Sequence, residues 1–110
     1  MYPANPDPVV PVAHVPPAVT VKVAGMDGDR AVLEATATSP LVRLTAASFA
    51  VNGKKWINVF PTDGLFDSKS ESFKFKTESL KPGTYVLVLR VKDAAGNTGA
   101  KDVVFTVPGK

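Results

Sequence analysis

The sequence predicts an all-β fold: a seven-stranded antiparallel sandwich behind a disordered or extended proline-rich N-terminal segment. Three observations predict it. Apolar residues recur with period two through short runs, as half-buried antiparallel strands require. Turn-forming residues punctuate the runs at sandwich-like spacing. No segment sustains a helical period.

Residues 1–17 hold six of the ten prolines: Pro3, Pro6, Pro8, Pro11, Pro16 and Pro17. Proline fixes φ and lacks an N–H, so such a stretch favours an extended spacer over core. We read 1–17 as a linker and 18–108 as the domain. A spacer implies something on its far side, so the natural chain is expected to continue upstream.

The first strand is predicted at 18–24, where Val19, Val21 and Val23 alternate with Thr20 and Lys22. Gly25 to Asp29 then reads as a turn. Residues 30–38 follow, with Ala31, Leu33, Ala35 and Ala37 on one face. A strand at 43–52 ends on Asn52-Gly53, a hairpin dipeptide whose residues both tolerate φ > 0. Its return strand is placed at 55–60, and a longer loop runs over 61–69. Phe73 and Phe75 mark a strand at 70–77. Tyr85, Leu87, Leu89 and Val91 mark one at 83–92. Val103, Phe105 and Val107 mark the last, at 100–107.

Composition bounds what the domain can do. A chain of 110 residues suits one domain, and 45% apolar content is enough for a core. Cysteine is absent, which excludes disulfides, thiolate metal sites and a cysteine nucleophile. The net charge of +3 is spread among interleaved acids, so no nucleic-acid footprint is present. No apolar run reaches ~18 residues, so no membrane-spanning helix is expected. The first six residues lack the charged and apolar regions of a signal peptide. The expected location is extracellular or periplasmic, as a fragment without its own signal.

Leu80-Lys81-Pro82-Gly83-Thr84-Tyr85 resembles the turn into strand F of fibronectin type III and related bacterial Ig-like domains. The stretch Val86 to Lys92 with Asp93-Ala94-Ala95-Gly96-Asn97 resembles strand F and the F–G loop of the same modules. The resemblance implies a structural tyrosine corner at Tyr85, its ring inward and its hydroxyl bonded to upstream backbone. Phe49-Ala50-Val51-Asn52-Gly53 followed by Trp56 is similar to sandwich modules near the C-termini of large bacterial exported proteins. Antibody-type domains bridge the sheets with a cysteine pair. Leu33 and Leu87 are expected to fill that space here.

No catalytic constellation is present, so the chain reads as a non-enzyme. The one histidine, His14, lies in the linker, and no serine elbow or phosphate loop appears. No cofactor is expected. Asp27, Asp29, Asp63, Asp67, Asp93 and Asn97 are hard oxygen donors suited to calcium. All lie in loops where such residues also form turns, and turn formation is the expected role. Lys22 and Asn97 could be ends of an isopeptide bond, but Lys22 alternates with inward valines and should face solvent.

Trp56, Phe60 and Phe66 are the candidate ligand contacts. Ile57 and Val59 should face the core, leaving Trp56 and Phe60 on the other side. The 61–69 loop is expected to fold back over them with Leu65 and Phe66. Exposed rings would instead offer a surface for a sugar or a neighbouring domain. The leading expectation is a structural or interaction module of a larger exported bacterial protein, monomeric and packed beside a neighbouring domain. A carbohydrate- or protein-binding module around Trp56 and a calcium-stabilised adhesin-type repeat are the alternatives.

Overall fold

A computed structural model describes residues 15–109. Seven strands follow in chain order: β1 (Ala18–Asp27), β2 (Arg30–Thr38), β3 (Leu44–Val51), β4 (Ile57–Asn58), β5 (Ser70–Lys76), β6 (Gly83–Asp93) and β7 (Thr98–Val107). They form a three-stranded sheet, β1-β2-β5, and a four-stranded sheet, β4-β3-β6-β7. Every pairing is antiparallel. The predicted linker lies mostly outside the described residues.

Period two decides which side chains meet between the sheets. On β2, Ala31, Leu33, Ala35 and Ala37 are buried, with exposed or half-buried residues between them. The small alanines leave room for larger partners: Ala35 aligns with Phe73 of β5, and Leu33 with Phe75. Across the sandwich, Leu87, Leu89 and Val91 of β6 are completely buried. Leu33 and Leu87 are both 0% exposed, and both belong to the core cluster.

Three connections cross between the sheets: β2 to β3, β4 to β5 and β5 to β6. Between β2 and β3, the Ser39 N–H donates to Lys69 O and the Leu44 N–H to Ser68 O. Between β4 and β5, the Val59 N–H donates to Ala47 O on β3, and the Thr62 N–H to Ser72 O on β5. The chain therefore changes sheet within three residues of Val59. This corrects the predicted strand at 55–60, of which only Ile57 and Asn58 pair. The buried Pro61 has no N–H for a ladder.

The turns follow their chemistry. Asn52 and Gly53 have φ of 53° and 70°, a primed two-residue hairpin turn that suits the strand twist. β1 runs three residues past its predicted end, because a bulge between Val23 and Gly25 absorbs the register change. At the flank where β1 meets β7, Pro17 lies against Gly99. A Cβ on Gly99 would overlap the Pro17 carbonyl oxygen and stand 3.1 Å from its carbon. Lys101 aligns with Leu89 in the ladder. It therefore points toward the inner side of β7, yet it remains exposed at the flank.

Candidate functional site

The four-stranded sheet and the crossing beside it carry the residues singled out above. Ser48 of β3 aligns with Asn58 on one side and Arg90 on the other. These three side chains share the outer face. Trp56 precedes Asn58 by two residues and belongs to that face as well. The Arg90 guanidinium sits 4.0 Å from the centre of its ring, a cation–π contact that fixes the indole over the sheet. Trp56 is still 43% exposed.

Phe60 and Phe66 lie elsewhere. Their rings are 6.3 Å apart, and Phe66 is 5.9 Å from the buried Phe73. The three rings run from solvent to core along the side closed by the β4–β5 crossing. Phe66 is half-buried, whereas Phe60 is 63% and Leu65 64% exposed. The structure thus joins Phe60 to Phe66 but joins neither ring to Trp56 among the described residues. It also corrects the expected cover: Leu65 projects into solvent, and Phe66 turns to the core instead of Trp56. The reason is tethering. The Asp63 carboxylate accepts from the Leu65 N–H, and Glu71 accepts from the amides of Asp67 and Ser68 at 3.0 and 3.1 Å. The loop is drawn toward β5, away from the outer face.

Glu71 is the residue that sequence reading missed. It is only 6% exposed, and it lies within 4.8 Å of the carboxylates of Asp63 and Asp67. A signal was available. The alternation that turns Phe73 and Phe75 inward also turns residue 71 inward. Three carboxylate oxygens so placed could share a hard divalent cation. The loop bonds already satisfy Glu71 and Asp63 in the other manner such residues serve. The remaining candidates stand apart. Asp27 pairs with Lys76 at 2.5 Å, and that hydrogen bond and charge hold its pKa below the ordinary value. The buried Asp93 accepts from the amides of Ala95 and Asn97, and Asn97 Nδ2 donates to it at 3.3 Å. Lys22 faces solvent 3.8 Å from Glu34, so it and Asn97 are engaged separately. His14 lies outside the described residues.

Tyr85 is half-buried and stacks on Phe105, with ring centres 5.7 Å apart. Its hydroxyl donates to Lys81 O at 2.6 Å. That bond spans the turn entering β6 and fixes the end of the four-stranded sheet.

No family model and no curated protein matches the sequence. Solved structures do resemble the fold. The PKD1 domain of Vibrio anguillarum Epp is 13% identical with a TM-score of 0.61, covering 88% of this chain and 99% of that one. The PKD1 domain of the Vibrio cholerae metalloprotease PrtV is 12% identical with a TM-score of 0.60, covering 86% and 100%. The sulfane dehydrogenase SoxCD from Paracoccus pantotrophus is 16% identical with a TM-score of 0.55, covering 73% of this chain and 23% of its own. The fold is an Ig-like β-sandwich, the class to which PKD domains belong.

Proposed function

We propose that an Ig-like sandwich of this kind serves here as a non-catalytic spacer and interaction module of a larger exported bacterial protein. Residues 1–17 would act as its linker and residues 18–108 as the rigid unit. One observation carries the reading: the chain enters and leaves at opposite ends. Pro17 packs on Gly99 beside the β6–β7 turn. Pro108 and Gly109 leave at the other end, beside Gly28, Asp29 and Pro82. A ten-residue β7 separates these ends by roughly 30 Å at about 3.3 Å per residue. The similarity to a PKD1 domain of a metalloprotease supports the same reading, because that domain is one part of a longer protein.

The absence of cysteine makes the test direct. Cysteines at Ala95 and Gly109, one near each end, would carry spin labels without competition. A rigid spacer gives one narrow distance distribution. A broad or two-peaked distribution would remove the rigidity on which the reading depends.

A second reading has its own observation in the exposed indole of Trp56, one face on Arg90 and much of the rest open. Such a ring can stack on a sugar or on a partner's side chain. Affinity electrophoresis through polysaccharide gels tests the carbohydrate form. Retardation lost in Trp56→Ala, with melting unchanged, would move this reading ahead. Equal mobility of both proteins in every gel would leave the spacer reading in front.

A further inference from the structure

We propose that the cleft between the β3–β4 hairpin and the β5–β6 connector binds an amphiphilic monocarboxylate. Its chain would lie in the cleft and its carboxylate at Lys54 and Lys55. The site is distinct from the Trp56 face, and neither reading above depends on it.

The cleft opens at the end of the sandwich where β3 finishes and β6 begins. Its volume is about 350 Å³, within the range of small-molecule sites, roughly 300–1,000 Å³. Phe49 forms the floor; it is buried and stacks on Phe75 with ring centres 4.7 Å apart. The walls are Val51, Ile57, Leu80 and Tyr85. All four pack against the core yet stay half-buried. At about 30 Å³ for each water-sized group, the cleft has room for a chain of roughly ten carbons.

The rim sets the head group. Lys54 and Lys55 line the hairpin side and are exposed. Neither has an ion pair among the described residues. Asn52 stands beside them, and its Oδ1 accepts from the Val86 N–H at 2.9 Å. That bond leaves the Asn52 amide nitrogen as a donor. The hairpin side therefore presents donors: two ammonium groups and one amide. Glu78 is the one acid among the described residues that line the cleft. An acceptor-only head bearing one negative charge matches this rim, and a cationic head does not.

The test is amide NMR titration of the chain with three probes below their micelle concentrations: decanoate, decanol and decyltrimethylammonium. Decanoate is expected to give saturable shifts centred on Asn52, Lys54, Lys55, Ile57 and Leu80. The cationic probe should bind about tenfold more weakly, since two exposed lysines each add a modest attraction. The Lys54→Gln, Lys55→Gln double variant changes exposed residues and should fold normally. It should bring decanoate down to the affinity of decanol. The proposal is overturned by the absence of saturable shifts, by equal binding of the cationic probe, or by shifts centred on Trp56 and Arg90. It is also overturned if the same amides shift with protein concentration alone, because a second copy would then occupy the cleft.

Discussion

Replacing Gly99 with alanine places a methyl group where the Pro17 carbonyl already sits. The perturbation is purely steric, because Gly99 does not have the positive φ that would demand glycine. On an unobstructed strand the change would be favourable by about 0.4–1 kcal/mol, through reduced freedom of the unfolded chain. Here the new Cβ would overlap backbone oxygen and lie 3.1 Å from the carbonyl carbon. Backbone cannot rotate away as a side-chain tip can. Overpacking of this kind costs about 1–3 kcal/mol. The net loss should be about 1–2 kcal/mol, which lowers Tm by roughly 4–16 °C for a domain of this size. Gly25→Ala is the matched control, since its Cβ would meet nothing within 4 Å and its φ is also not positive. It should keep or slightly raise Tm. Melting by circular dichroism, with hydrogen exchange at Val19 and Val21, reads both changes. Exchange should quicken there in Gly99→Ala as the start of β1 lifts from β7. A Gly99→Ala protein as stable as the parent, or a Gly25→Ala protein equally damaged, would refute the close approach of Pro17 and Gly99.

Other outcomes follow from bonds already described. Tyr85→Phe removes the hydroxyl donated to Lys81 O and keeps the stacking on Phe105, so chemical denaturation should show a loss of about 0.5–1.5 kcal/mol. Glu71→Ala strips the acceptor from the amides of Asp67 and Ser68; the loss should be about 1–3 kcal/mol, with Glu71→Gln milder because an acceptor oxygen remains. If loop bonding is what these carboxylates do, the parent should melt at the same temperature in millimolar calcium and in chelator, and a calcium-dependent rise would move them to a metal role. Asp27 should titrate below the ordinary carboxylate value, about 3.9, owing first to its hydrogen bond with Lys76 and then to that charge. A depressed folded pKa gives stability that is present above the unfolded value and lost as pH falls through the folded one. Lys76→Gln should return the NMR titration midpoint of Asp27 toward normal and flatten that acid-side loss.

Most of the fold was legible because sandwich strands declare themselves locally. β2 and β6 alternate strictly, and a period of two permits only one choice of inward face. Asn52-Gly53 announced its hairpin through residues that accept positive φ. The return strand was less legible. Trp56 to Phe60 alternates well, but strand length at a sheet edge depends on where the chain must go next, and here it crosses to β5. The aromatic candidates part company for the same reason. Sequence order places Trp56 and Phe60 close together, while the crossing sends them to different surfaces. The 61–69 loop is bonded to Glu71, while Trp56 stays 43% exposed. Glu71 itself was hidden by habit: an acid amid lysines reads as surface, although its parity with Phe73 pointed inward.

Lys101 has a consequence for the molecule in company. Chains built from several sandwiches hold many identical edges at high local concentration, where strand-to-strand annealing competes with correct folding. β7 is the last strand of its sheet, flanked by β1 where Pro17 lies on Gly99, and Val104 on its outer face is 61% exposed. Another strand pressed against β7 in register would have to bury the Lys101 ammonium on its inward side, without a counter-charge. One misdirected charge on a long edge is among the known defences against this kind of adhesion. It gives the domain a physical tolerance for crowding among copies of itself.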